Sequence, residues 1–336
     1  MSQPASSPSP ARVAVFTLGG TIASTGARGA PVTPELSGED LVASVPGLAG
    51  VAELEVHELR RLPSGDLGFG DLVELATRAR AASQSGVAGV VVVQGTDTLE
   101  ETALALELLC PGVVLVLTGA MRHPQSAGAD GPANLLAAVR VAASASARGL
   151  GALVVMNEEI HAARWVRKSH ATSPGAFASP SLGPLGQLIE GAAHVRVHPE
   201  PLEALDISAQ AVPPVALYEV CLGDDGRLLG SLAEAGYAGV VIGAFGAGHV
   251  PGALAEPLGA LASRMPVVLA SRTGAGSVLG ATYGFVGSES DLLGRGLISA
   301  GSLDARKARV VLSLLLASGA THQRVVDYFD ELRRRV

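Results

Sequence analysis

Residues 12–21, RVAVFTLGGT, and residues 90–97, VVVVQGTD, decide the fold. Each is a short apolar run rich in β-branched residues that ends abruptly on glycine. Neither alternates polar with apolar positions, so each reads as a strand buried on both faces. Such strands occur in parallel sheets covered by helices on both sides. The theme recurs at residues 113–117, which lead to Thr118-Gly119-Ala120, and at residues 153–156, which lead to Asn157-Glu158. Helical patterns lie between these runs. Residues 70–84 carry Leu72, Val73, Leu75, Ala76 and Ala79 on one stripe. Residues 98–109 open with Thr98-x-x-Glu101, the pattern of a capping box, and residues 134–147 are Ala-rich. Alternating strands and helices of this kind predict an open, doubly wound α/β sheet.

The pattern weakens at residues 190–214, where Pro199, Pro201 and Pro213-Pro214 interrupt it. Beyond lie strand-like runs at 215–221, 239–244 and 266–271. Two closing helices follow at 303–318 and 321–335, with Thr321 placed to cap the second. The expected organisation is a tail at 1–11, a larger N-terminal α/β domain at 12–190, a linker at 191–214 and a smaller C-terminal α/β domain at 215–336.

Composition narrows the function. Of 336 residues 48% are hydrophobic and 16% charged, enough for a large core, and the net charge is −7. An acidic chain whose compact basic run is Arg333-Arg334-Arg335, read as helix-end charge, is not expected to bind nucleic acid. Apolar runs broken by Gly, Pro or charge predict no membrane span. The Ser/Pro-rich start lacks the pattern of a secretion signal, so the expected compartment is the cytoplasm. Cys110 and Cys221 sit in apolar segments and read as buried free thiols. His161, His170 and His249 lack metal-ligand spacing and read as polar loop residues. The glycines at 243–248 and 274–276 are not followed by the residues of a phosphate-binding loop. No metal and no organic cofactor are expected.

In open α/β sheets ligands bind outside the carboxyl ends of the strands. There this sequence places Thr21 behind a Gly-Gly pair and Thr96-Asp97 behind Gly95. Glycine lets backbone approach a ligand, and N–H groups at a helix start can stabilise an oxyanion. A threonine hydroxyl needs a base to become a nucleophile. Lys168 and Lys307 are the only lysines in a chain that otherwise uses arginine. Lys168, expected in a polar loop, is the candidate amine, because arginine cannot act as a base.

At these residues the chain resembles the bacterial L-asparaginase/glutaminase family. Residues 17–23, TLGGTIA, are similar to its TGGTIA motif, with Leu18 in the lead. Residues 94–102, QGTDTLEET, are similar to HGTDTMEET, with Gln94 for His. Gly119-Ala120-Met121-Arg122 and residues 129–134, ADGPAN, resemble GAMR and ADGPxN. Further matches are residues 154–157, the Lys168 segment, residues 183–186 and Lys307-Ala308-Arg309, so the resemblance spans about residues 12 to 330. It implies a nucleophilic Thr21, a second group of Thr96, Asp97 and Lys168, and an oxyanion site at the Thr96 N–H and near Ala120. It also implies that Ser64 holds the substrate's α-carboxylate and Asp97 its α-ammonium, with Gly65 and Gly95 lining the site. The substrate implied is a small amide such as L-asparagine. Glutaminase, an amidotransferase subunit and a non-catalytic homologue are the rival readings. Relatives place each site between two subunits, so a homodimer or homotetramer is implied.

Three departures stand out. Residues 24–34, where the family has a mobile lid with a tyrosine, contain none, and Pro31 falls near its place. Gly65 stands where the family has Gln. The cross-subunit asparagine is replaced within residues 245–249, FGAGH, and Glu289 and Tyr283 are the candidates for the second domain's acid.

Overall fold

The computed structural model describes residues 10–25, 33–207 and 211–336. Strand β1 (Ala11–Thr17) opens the chain, followed by the short pair β2 (Ser24–Thr25) and β3 (Thr33–Pro34) and helix α1 (Gly38–Ala43). Then come β4 (Ala52–Glu58), α2 (Phe69–Gln84), β5 (Gly89–Val93), α3 (Leu99–Leu109), β6 (Leu115–Thr118), α4 (Gly131–Ala143) and β7 (Ala152–Met156). Strands β4, β1, β5, β6 and β7 lie side by side in that order, all parallel. Chain order runs to one side of β1 and then returns to the other. That reversal creates a crevice at the carboxyl ends of β1, β4 and β5.

The all-parallel expectation stops at β7. The chain turns back through Asn157 and Glu158, whose φ angles are 51° and 64°, into β8 (Glu159–Ala162), which runs antiparallel to β7. Two residues with positive φ make a tight hairpin turn matched to the twist of the strands. A small ribbon, β9 (Arg167–Lys168) and β10 (Phe177–Ala178), follows. Strands β11 (Gly186–Ile189) and β12 (Ala192–Val195) then complete an eight-stranded mixed sheet. Because β12 pairs with β11, the stretch 191–214 read as a linker begins as sheet. Lys168, expected in a loop, lies on β9.

A second, wholly parallel sheet contains β13 (Val215–Glu219), β14 (Gly239–Ala244), β15 (Val267–Ser271) and β16 (Ile298–Ser299). Its helices are α5 (Leu229–Leu232), α6 (Gly252–Ala262), α7 (Glu289–Gly294), α8 (Ala305–Ala317) and α9 (His322–Arg335). Thr321 caps α9 by accepting from the Arg324 N–H, and the three closing arginines occupy its last turn. Helix α8 packs against α3, and one apolar core runs continuously from Leu104 and Leu108 to Val241, Leu312 and Phe329. Through it passes a buried ion pair. Arg164 donates to Glu107, and its guanidinium also donates to the Glu200 carbonyl at 2.6 Å. Of the two free thiols, Cys110 is buried as expected, whereas Cys221 is exposed just past the end of β13. Among the described residues no helix is long and apolar enough to cross a membrane.

His161, expected in a loop, is on β8 and buried, with Nδ1 sharing a hydrogen bond of 3.0 Å with Ser179 Oγ. Burial first, and the Lys307 charge second, push its pKa down to about 4 from 6.5. Between those values the unfolded chain binds a proton that the folded chain refuses. Stability therefore falls as pH drops from 6.5 toward 4, by on the order of 3 kcal/mol from this group. In His161→Gln the decline of the urea midpoint over that range becomes shallower. Parallel declines in the two proteins would refute the assignment.

Candidate active site

The crevice is assembled by glycines that let neighbouring backbones touch. The end of β1 is wedged between β4 and β5, with Leu18 N–H donating to Val93 O at 2.8 Å and Leu62 N–H to Leu18 O at 2.9 Å. Gly20 has φ 88° and ψ −174°, a conformation open essentially to glycine alone, and a Cβ there would lie 2.2 Å from Gly95 N. A Cβ on Gly95 would lie 2.8 Å from Ser64 Oγ, and one on Gly119 would lie 2.5 Å from Gln94 O and 3.2 Å from Thr96 Cγ2. Gly131 is wedged between Ile22 and Ala120 in the same way. The turns after β1, β4, β5 and β6 therefore converge. They bring Thr21, Ser64, Gly65, Gly95, Thr96, Asp97 and Ala120 to one end of the sheet. Gly20→Ala adds both backbone strain and a clash, and is expected to cost about 3 kcal/mol or more. A chemical-denaturation midpoint equal to wild type would contradict this.

Thr21 opens a single turn of 3-10 helix (Thr21–Ala23) and is half-buried. Thr96 is buried, whereas the Asp97 carboxylate is 78% exposed. Lys168 reaches both from β9, with Nζ donating to Thr96 Oγ1 at 2.9 Å and to Asp97 Oδ1 at 2.6 Å. Lys168 thus meets the second threonine, and Gly20, the residue before Thr21, packs closely on Gly95, the residue before Thr96. Among the described residues, neither Ser64 Oγ nor Gln94 Oε1, both buried, has a hydrogen-bond partner. A buried polar atom without a partner is costly unless a ligand or water satisfies it. Gly65 lies beside it, with open space where a side chain would project.

Several supports escaped the sequence reading. The expected capping box does not form. Thr98 flanks α3 without capping it, and its hydroxyl donates instead to Ser64 O at 2.9 Å, tying the turn after β4 to the start of α3. Asn134 joins the ends of β6 and β7, donating to Gly119 O and accepting from Asn157 N–H, both at 3.0 Å. Asp130 accepts the N–H groups of Met121 and Arg122 at 2.9 Å each. The motif at 119–134 is therefore a brace for the strand ends.

The segment read as a lid is described only at Ser24–Thr25 and from Thr33 onward; Pro31 lies outside the described residues. At the start of α7, Glu289 is fully buried. One of its oxygens accepts from Thr282 and Tyr283 N–H at 2.9 and 2.8 Å, and the other lies 3.2 Å from His249 Nε2. Burial raises this carboxyl, but the backbone N–H groups of Tyr283, Thr282 and Glu289 itself, with His249, together hold it below the usual range. Glu289 therefore anchors its own loop, and Tyr283 stands exposed beside His249, their rings 4.8 Å apart. Among the described residues no cluster has the makings of a metal site.

Residues 12–202 match the family model for the asparaginase N-terminal domain, and residues 214–329 match that for the glutaminase/asparaginase C-terminal domain. The chain belongs to the asparaginase/glutaminase family. It is 38% identical over 334 residues to a Deinococcus radiodurans protein named as a probable L-asparaginase, covering 98% of this chain and 99% of that one. It is 34% identical over 313 residues to an L-asparaginase of Bacillus licheniformis, covering 91% and 96% respectively. A Campylobacter jejuni crystal structure described as a probable cytoplasmic L-asparaginase superposes with a TM-score of 0.85 at 30% identity, covering 95% of this chain and 99% of that one. The protein is an amidohydrolase of this family, and its two-sheet α/β architecture is the one expected from the sequence.

Proposed function

We propose that the protein hydrolyses L-asparagine to L-aspartate and ammonia through an acyl-enzyme on Thr21. Thr21 Oγ1 attacks the side-chain carboxamide carbon, and the oxyanion of the tetrahedral centre is stabilised by the Thr96 N–H and the backbone near Ala120. Collapse breaks the C–N bond and releases ammonia with the proton lost by the threonine. Water then cleaves the ester, returning the hydroxyl and giving the carboxylate. Lys168, Thr96 and Asp97 carry protons to and from the reacting groups, and an amine can do so where a guanidinium cannot. Ser64 receives the α-carboxylate and the exposed Asp97 the α-ammonium.

The observation that supports this reading is the approach of Lys168 Nζ to Thr96 Oγ1 and Asp97 Oδ1, together with the close packing of Gly20, next to Thr21, on Gly95, next to Thr96. Ammonia release from millimolar L-asparagine by the purified protein tests it, with D-asparagine and L-glutamine as comparisons. No release from L-asparagine would refute it, and faster release from L-glutamine would reassign the substrate. We further infer a homodimer or homotetramer, on the strength of exposed Tyr283 and Phe285 beside His249 and exposed Val286 next in the chain; light scattering on the purified protein decides it. The cytoplasm is the compartment proposed, following the Campylobacter relative. A Haemophilus influenzae relative is named as periplasmic, and cell fractionation separates the two.

A further inference from the structure

A second set of charges is buried behind Lys168. Glu100 lies three residues past Asp97 on α3 and is 1% exposed. Its Oε2 accepts the backbone N–H of Lys168, and its Oε1 lies 3.2 Å from Arg306 Nη2 on α8. The next residue on α8, Lys307, is equally buried, and its Nζ donates to the carbonyl of Val166, two residues before Lys168. Asp304, the N-cap of α8, accepts the N–H groups of Arg306 and Lys307 at 3.0 and 3.2 Å. It thereby fixes the helix end from which both cations reach.

Strand β9 has only two residues, and its own pairing is with the equally short β10. Such a ribbon has too few hydrogen bonds to define its position alone. Yet Lys168 Nζ must be held to within a fraction of an ångström to act on Thr96. Burying a carboxylate and an ammonium carries a large desolvation penalty, and apolar side chains would hold a loop to the core at least as stably. What the two charges supply is direction, since each ends on a backbone atom of the 166–168 segment. We propose that Glu100 and Lys307 are positioning residues, which set the height of β9 so that Lys168 reaches Thr96 and Asp97. Helix α8, which packs on the second sheet, thereby aligns the amine on β9.

The inference rests on the reading of Lys168 given above, and the experiment separates the two. Initial rates on L-asparagine and thermal midpoints are measured for full-length Glu100→Leu, Glu100→Gln, Lys307→Met and Lys168→Met, and for the double variant Glu100→Leu/Lys168→Met. Glu100→Leu and Lys307→Met are expected to lower kcat by up to about 100-fold while KM moves by less than about threefold, because misplacement affects turnover more than binding. Glu100→Gln keeps an acceptor for the Lys168 N–H and stays within about threefold of wild type. In the Lys168→Met background Glu100→Leu costs nothing further, since two residues acting as a unit are not additive. A wild-type kcat in a folded Glu100→Leu, or an equal loss in both backgrounds, overturns the positioning role. Should Glu100→Leu not fold, a wild-type kcat in Lys307→Met overturns it instead. A wild-type kcat in Lys168→Met overturns the reading of Lys168 itself.

Discussion

Thr21→Ala lowers kcat for ammonia release by on the order of 10⁵-fold, while the thermal midpoint moves by no more than about 2 °C. The large effect follows from chemistry that no neighbour replaces. Without the hydroxyl no ester can form, and only a water held by the remaining groups can attack the amide. The small effect on stability follows from the site. Thr21 is half-buried, and the turn it opens is defined by Gly20 and by Ser24, whose hydroxyl donates to Gly20 O at 2.9 Å. Thr21→Ser keeps a hydroxyl and retains a measurable fraction of turnover. Rapid quenching and intact-mass measurement of the wild type should reveal an adduct of substrate-derived mass, absent from Thr21→Ala. If Thr21→Ala keeps roughly a tenth or more of the wild-type kcat, Thr21 is not the nucleophile. Attention would then move to Thr96, the threonine that Lys168 touches.

How far this site could be read in advance depended on where each restraint comes from. The ends of β1 and β5 were legible because a strand buried on both faces leaves a plain apolar run, and a glycine marks where backbones must meet. Thr21, Thr96 and Asp97 follow those glycines directly. The outer part of the first sheet was not legible. Its turn uses Asn157 and Glu158, both with positive φ, and glutamate at the second position hides a hairpin that glycine would have advertised. Strand β11 alternates buried and exposed positions over four residues, too short a stretch to separate from a loop. Thr98 and Glu101 matched a capping box, but the hydroxyl found a better use on Ser64 O, a partner 34 residues away. The brace formed by Asn134 and the contacts behind Lys168 also join distant segments, and no local periodicity announces them.

Lys168→Met is the second change expected to have a large effect, lowering kcat by about 10²- to 10⁴-fold, the range for loss of a positioned proton carrier. Methionine keeps most of the stem, so packing along β9 changes little. The ion pair it removes is half solvent-facing: Lys168 is 14% exposed but Asp97 is 78% exposed. Such pairs contribute at most about 1 kcal/mol, so the variant folds with a near-normal midpoint and the loss falls on turnover. Lys168→Arg makes the sharper test. A guanidinium preserves the charge and can still donate to Asp97, but it does not release a proton in the working range. If Lys168 shuttles protons for Thr96 and the attacking water, arginine restores little. If arginine restores the wild-type rate, Lys168 serves only as a fixed positive charge and the proton must travel by another route. Thr96→Val then distinguishes the alternatives. A hydroxyl in the relay makes this variant as slow as Lys168→Met and leaves the double variant no slower than either. Separate roles multiply the two losses.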